Sequence, residues 1–276
     1  MQEQSLKPLH DLACETAQEA GRLLCTHFGQ IQEAQIEAKR SAADHVSVAD
    51  RESEELIRAR LTADHPHIGF MGEESAETHS ARHELVWVVD PLDGTSNYLC
   101  GLPLWSVSIA LCDRDLQPLI GVVHAPLLSK LWSAIQGQGA LANGKPMHVR
   151  TVPRGGGLFN AMLATGFPYD LEGSAMRFNI HNFGRMQRCF HKIRRLGSAA
   201  IDLAYIAEGV LDGMWELMLS AWDTAAGILL VSEAGGYCSR FDGSDYTAGD
   251  EQLLAAATPE LLALMQNELQ AAQSTS

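Results

Sequence analysis

Three short segments carry carboxylates where a strand should end or a helix begin: Gly72-Glu73-Glu74-Ser75, Asp90-Pro91-Leu92-Asp93-Gly94-Thr95 and Trp222-Asp223. In the middle segment Asp90 closes an apolar run. Pro91 fixes φ and has no N–H to give a sheet, which predicts that the strand stops there. Asp93 follows three residues on, near enough for both carboxylates to serve one cation. Gly94 lets the backbone approach an anion, and a helix starting at Gly94 and Thr95 would present N–H groups that no carbonyl one turn back can satisfy.

Hard divalent cations such as Mg²⁺ take oxygen ligands, and Asp, Glu, a Thr hydroxyl and the Leu92 carbonyl supply them. Clustered carboxylates facing a phosphate dianion would otherwise repel one another by about 4 kcal/mol per pair at 4 Å and an effective dielectric of ~20. No Lys or Arg lies in the middle segment to relieve this. Taken singly, each segment has a plainer reading. Asp-Pro-x-Asp-Gly-Thr makes a turn, Glu73-Glu74 makes a solvated one, and Asp223 suits the first turn of a helix by the dipole alone. Their joint occurrence favours a metal centre.

Such a centre needs a frame, and 276 residues, 46% of them hydrophobic, can bury a sizeable core. With 20 basic against 34 acidic residues and a formal charge of −14, the chain lacks the basic stripe that a nucleic-acid partner requires. The six cysteines form no C-x-x-C pair, which argues against both a zinc site and a disulfide scaffold. No run of about 18 apolar residues is present to span a membrane, and Met1 to His10 has no apolar signal segment. A cytoplasmic, soluble protein is expected. No G-x-x-x-x-G-K-[ST] occurs, so a kinase or nucleotide hydrolase built on that loop is excluded. Most of the eleven histidines are read as surface or loop residues, since none stands in a ligand pattern.

Spacing then predicts the elements. Ala13, Ala17, Ala20, Leu24 and Phe28 mark an amphipathic helix ending near Gly29. A short strand over 35–38 precedes a polar loop over 39–45, and Ser47 with Asp50 opens a helix to about Ala63. Ile68 to Met71 and Leu85 to Val89 read as buried strands. The runs 106–111, 119–124 and 130–134 read as an antiparallel meander. Glycines 155–157 follow Arg154 as a possible seam, near 151–157, in what is read as one domain over 1–276. Beyond it come a strand (159–164), a helix (173–189), a strand (192–195), a helix (198–208), a strand (213–216) and an alanine-rich helix (221–234). A final helix has Thr258 as N-cap and Pro259 at its first position. Mixed elements of this kind predict layered sheets and helices.

Trp87-Val88-Val89-Asp90-Pro91-Leu92-Asp93-Gly94-Thr95-Ser96-Asn97, with Gly72-Glu73-Glu74-Ser75 before it and Trp222-Asp223-Thr224-Ala225-Ala226-Gly227 and Glu233-Ala234-Gly235-Gly236 after it, resembles the inositol monophosphatase family. The resemblance spans nearly the whole chain. It implies an α+β fold of αβαβα layers shared with fructose-1,6-bisphosphatase, a homodimer, and Mg²⁺-dependent, Li⁺-sensitive hydrolysis of a small phosphorylated metabolite. By position, Glu73, Asp90, the Leu92 carbonyl and Thr95 would hold one Mg²⁺. Asp90, Asp93 and Asp223 would hold a second, and Glu73 would share a third with water. Glu73, Thr95 and Asp93 would be the catalytic residues around a metal-activated water, and the Gly94 and Thr95 N–H groups would bind phosphate oxygens. Lys39 and Asp44 match the family's mobile loop, although Ser41-Ala42 stands where Ser-Pro is frequent; Lys39 reads equally as a surface lysine. Asp50 matches a position near the metals, though its capping role explains it as well.

For the substrate, Glu216 stands seven residues before Asp223, where the bacterial branch has a glutamate that accepts hydrogen bonds from substrate hydroxyls. Ala199 would lie beside the ring, and Asp223 would face it. The plainer role for Glu216 is partner to an arginine such as Arg194. Ser96-Asn97-Tyr98 resembles the inositol branch, which favours inositol-1-phosphate over histidinol phosphate or fructose-1,6-bisphosphate. A different class of role, as regulatory partner of the transcription machinery, is known for some bacterial members.

Overall fold

The computed structural model describes residues 6–31, 36–38, 45–75, 83–168 and 174–273. Helices α1 (Lys7–His27) and α2 (Val48–Thr62) flank a two-stranded hairpin of β1 (Ile36–Ala38) and β2 (His45–Ser47). The expected cap of α2 is present: the Ser47 N–H donates to Asp50 Oδ2 at 2.9 Å, and the Ala49 N–H donates to Ser47 Oγ at 3.2 Å.

A seven-stranded sheet follows in chain order: β3 (Gly69–Gly72), β4 (Leu85–Asp93), β5 (Ser106–Asp113), β6 (Pro118–Ala125), β7 (Lys130–Ile135), β8 (Ala140–Ala142) and β9 (Lys145–Met147). The β3–β4 pair is parallel and the others antiparallel. A short helix, α3 (Thr95–Leu99), lies between β4 and β5. Side chains of β4 and β5 alternate between two cores, as a period of two requires. Trp87, Val89, Val107, Ile109 and Leu111 join Ala13, Ala17, Ala20, Leu24, Ile57 and Leu61 of α1 and α2. Val86, Val88, Ala110 and Cys112 face the other way.

That second core is closed by α5 (Ala199–Ala207) and α6 (Ala221–Glu233), which follow β10 (Met162–Thr165), α4 (Ser174–Cys189) and β11 (Lys192–Arg194) in the chain. Glycines bring the layers close: a Cβ at Gly121 of β6 would lie 2.6 Å from the Ala226 carbonyl oxygen of α6. A five-stranded sheet, ordered β11-β10-β12-β14-β13, is completed by β12 (Gly213–Leu217), β13 (Tyr237–Ser239) and β14 (Gln252–Ala256). Ala164, Met214, Leu253 and Ala255 turn towards α5 and α6. Leu163, Trp215, Leu254 and Ala256 turn towards Met186 and Phe190 of α4 and towards α7 (Pro259–Gln273), through Leu261, Met265 and Leu269. The layers therefore run αβαβα, the α+β class the sequence predicts.

Three local expectations change. β4 does not stop at Asp90 but continues through Pro91 to Asp93. The predicted strand over 159–164 starts later, at Met162, because residues 158–160 form a 3₁₀ turn. Strands β13 and β14 are additions, and so is the β8–β9 hairpin. Its turn is Asn143-Gly144, with φ of 49° and 74°, the left-handed pair that a two-residue hairpin turn demands. Lys39 and Asp44 lie outside the described residues. Residues 151–157, with their three positive-φ glycines, lie between the last strand of the large sheet and the first of the small one.

Candidate active site

In a regular strand, residues three apart point to opposite faces. The β4–β5 register shows how Asp90 and Asp93 escape this: Asp90 pairs with Ser108 and Asp93 with Ser106, so three steps along β4 match two along β5. The extra residue is a β-bulge at Pro91, a device that re-aims side chains. Ser53 Oγ of α2 holds the bulge by donating to the Pro91 carbonyl at 3.0 Å, and the Leu92 N–H donates to Asp90 Oδ1 at 2.9 Å.

Asp223 arrives from the other side of the sheet. It is the third residue of α6, where its Oδ2 accepts the Ser220 N–H at 2.6 Å in a capping box. Ser108 Oγ donates to the Trp222 carbonyl at 3.3 Å and pins that helix tip to β5. The result is one carboxylate oxygen each from Asp90, Asp93 and Asp223, all within 4.8 Å of one another. Asp90 is 2% and Asp93 8% exposed, while Asp223 is half-buried.

The charges of this trio are not balanced by Lys or Arg among the described residues. Burial pushes the Asp90 carboxyl well above the usual carboxylate range, and the charges of Glu73, Asp93 and Asp223 push the same way. Asp223 is raised likewise by burial and by Glu73 and Asp93, against the Ser220 N–H. For Asp93, burial outweighs the Ser198 hydroxyl and Ala200 N–H and leaves the carboxyl at about 6. Glu73 follows β3, with its N–H bonded to the Val89 carbonyl at 3.2 Å. It stands outside the tight trio but close enough for its charge to be felt by all three aspartates.

Gly94 has φ of 90°, and a Cβ there would sit 2.9 Å from the Leu104 carbonyl oxygen, so both conformation and space call for glycine. It caps α3, whose first N–H groups lack intrahelical acceptors. Thr95 Oγ1 lies 3.0 Å from both Asp50 Oδ1 and the Leu92 carbonyl. Asn97 Nδ2 donates to the Leu104 and Leu196 carbonyls, both at 2.7 Å, and so ties α3 to the turn before α5.

That turn ends at Ser198, the N-cap of α5, whose hydroxyl donates to Asp93 Oδ2 while the Ala200 N–H donates to the same oxygen at 3.0 Å. Ala199, 7% exposed, is the first residue of the helix. Glu216, half-buried near the end of β12, is pushed up to about 8 by burial and by the Asp93 charge. The cation that opposes this shift is Arg195, which lies over the Phe167 ring. Arg194, the partner considered from sequence, donates to the Ile193 carbonyl instead. Gly166 packs directly on the Glu216 carboxylate, leaving no room for a side chain.

Sequence reasoning passed over three acidic or hydroxyl neighbours. Glu54, 4% exposed, accepts the Glu74 N–H at 2.8 Å and so sets the turn carrying Glu73. Its signal was a carboxylate one turn after Asp50 on the helix face of Ala49, Ile57 and Leu61. Ser198 could be read as an N-cap, but its bond to Asp93 could not. Asp202, buried in α5 with Oδ1 unbonded, is held well above the usual range by burial and by the charges of Glu216 and Asp93.

The all-oxygen donor set, its burial and its uncompensated charge fit a hard divalent cation. They do not fit a structural ion pair.

The model of the inositol monophosphatase family matches residues 5–274. An inositol-1-monophosphatase of Mesorhizobium japonicum is 40% identical, over 85% of this chain and 86% of that protein. The Nus factor SuhB of Xylella fastidiosa is 37% identical, over 89% and 86%. Among solved structures, the extragenic suppressor protein SuhB of Bartonella henselae superposes with a TM-score of 0.87 at 34% identity, covering 95% of this chain and 98% of that one. Inositol monophosphatase from Anabaena gives 0.84 at 31%, covering 96% of each. The chain belongs to the inositol monophosphatase family and is a phosphoric monoester hydrolase.

Proposed function

We propose that this member of the inositol monophosphatase family hydrolyses inositol-1-phosphate in a Mg²⁺-dependent, Li⁺-sensitive reaction. Two or three Mg²⁺ would be held by Glu73, Asp90, the Leu92 carbonyl, Asp93, Thr95 and Asp223. What carries the reading is the trio of carboxylate oxygens within 4.8 Å and without a cationic partner among the described residues. A fold cannot keep three such charges together in a low-dielectric site without cations or protons.

Bound Mg²⁺ supplies the charge that acidifies an attacking water and offsets the charge growing on the leaving oxygen. The rest falls to this chain's own groups. Asp50 Oδ1 accepts the Thr95 hydroxyl hydrogen bond, so that as Thr95 Oγ1 takes a proton from the attacking water its own proton passes to Asp50. Glu73 acts with Thr95 in placing that water. The Gly94 and Thr95 N–H groups bind phosphate oxygens at the tip of α3. Ser198 and Ala200 fix Asp93 in one orientation. Glu216 accepts hydrogen bonds from substrate hydroxyls, with Ala199 and Asp223 against the ring.

The test is a phosphate-release screen of inositol-1-phosphate, histidinol phosphate, fructose-1,6-bisphosphate and 3′-phosphoadenosine-5′-phosphate, each with and without Mg²⁺ and Li⁺. The expected result is highest kcat/KM for inositol-1-phosphate, dependent on Mg²⁺. Equal turnover after chelation would refute the metal assignment, and preference for histidinol phosphate would refute the substrate. A regulatory role is the second reading, favoured by the SuhB relatives. It is tested by retention of transcription-elongation proteins on the immobilised chain. A homodimer, checked by sedimentation, completes the proposal.

A further inference from the structure

The parallel strands β11, β10 and β12 share a direction, with Met162 beside Lys192 and Leu163 beside Gly213. Their C-terminal ends lead to Ser198, Gly166 and Glu216, all in the candidate active site. Their N-terminal ends open on a different cavity of about 200 Å³, lined by Arg150, Arg154, Asn160, Met162, Lys192 and Asp212 among others. At about 3.3 Å per residue, the strands separate the two places by more than 10 Å.

Part of the cavity wall is fixed internally. Asp212, 1% exposed, accepts the Met162 N–H at 2.7 Å and pairs with Arg150 Nη1 at 3.2 Å. The other guanidinium nitrogen of Arg150 caps the chain end after α5 at the Gly209 and Val210 carbonyls. Arg150 and Asp212 thus answer each other. Arg154 and Lys192 do not: neither has a carboxylate partner among the described residues. Lys192 Nζ donates to the Asn160 carbonyl at 3.1 Å and the Arg154 carbonyl at 3.4 Å, which leaves one of its three protons uncommitted. Three cations less one carboxylate leave two unmatched positive charges, in a chain whose formal charge is −14. Met162 and Val210 supply apolar parts of the wall, with Lys192 half-buried and Arg154 exposed beside them.

From this cavity we infer a second binding site, for a small dianion of the phosphate or sulfate kind, held between the Arg154 guanidinium and the Lys192 ammonium. It is distinct from the carboxylate cluster and does not depend on the substrate proposed for that cluster.

The experiment uses the full chain stripped of metal by a chelator, with inorganic phosphate as the probe. Without cations the Asp90, Asp93 and Asp223 cluster offers a dianion no positive charge, so phosphate reports on the cavity. Calorimetric titration should give one saturable equivalent in the wild type. Arg154→Gln combined with Lys192→Gln should weaken it by roughly tenfold or more, the scale of losing a charge-assisted hydrogen bond. Lys192→Arg should retain it. If Lys192→Gln disturbs folding, Arg154→Gln alone, at an exposed position, should still weaken binding. Absence of saturable binding in the wild type, or equal affinity in the Gln variants, overturns the site. Neither result bears on Mg²⁺-dependent hydrolysis, because metal and turnover are both absent from the assay.

Discussion

Asp212 and Asp90 are buried almost equally, at 1% and 2% exposed, yet their surroundings are opposite. Asp212 faces the Arg150 guanidinium and a backbone N–H, and its charge is answered by the protein. Asp90 faces Asp93, Asp223 and Glu73, with the Leu92 N–H as its hydrogen-bond donor. The first arrangement is complete as it stands. The second is organised as carefully, by a bulge and two helix caps, around a charge the protein does not itself provide. Burial alone therefore does not separate a structural carboxylate from one proposed to bind metal; the sign of the neighbouring charge does.

Exchanging charge for amide at each place should break the comparison in opposite ways. Asp90→Asn should lower kcat/KM by roughly a hundredfold or more, the scale of losing a group that organises transition-state charge. In chelated protein it should leave the unfolding midpoint unchanged or raised. Asp212→Asn should do the reverse, with destabilisation of about 3 kcal/mol from stranding Arg150 and little change in kcat. Parallel denaturant melts and initial rates measure both. Equal destabilisation by the two variants would remove the distinction.

Acidity sharpens the contrast next. Burial raises Asp93 from 3.8 to about 6 and Glu216 from 4.5 to about 8. A carboxyl with a higher pKa when folded binds more protons in the folded state, so stability falls as pH rises from 4.5 towards 8 and returns on acidification. The unfolding midpoint of chelated protein should thus climb between pH 8 and pH 6, and Glu216→Gln should flatten part of that slope. A midpoint indifferent to pH would contradict it.

Smaller effects concern Glu216 as a binding group. Glu216→Gln should raise KM for inositol-1-phosphate by up to roughly tenfold, the worth of one hydrogen bond, and change kcat less. Gly166→Ala, whose methyl group would overlap the Glu216 carboxylate, should raise KM in the same direction. Steady-state kinetics on both variants test this, and a loss confined to kcat would contradict it.

The elements that bring these groups together were legible where they rest on local rules. Ser47 and Asp50 announced the cap of α2, and an apolar run ending at an acidic residue announced β4. Asn143-Gly144 was equally legible as a hairpin turn and was passed over. The bulge was not legible, because Pro91 reads as a strand end and its continuation depends on Ser106 and Ser108 across the sheet. The partnerships of Ser198 with Asp93 and of Glu54 with the Glu74 N–H join residues far apart in the chain, and no local pattern encodes them.

The most direct test of the unbalanced trio is calorimetric titration of Mg²⁺ into chelated protein at pH 7, in two buffers of different ionisation enthalpy. Carboxyls held above their ordinary range should release protons as Mg²⁺ binds, and the combined Asp90→Asn and Asp223→Asn variant should lose both the binding and the proton release. Undiminished Mg²⁺ uptake by that variant, or none by the wild type, would contradict the account.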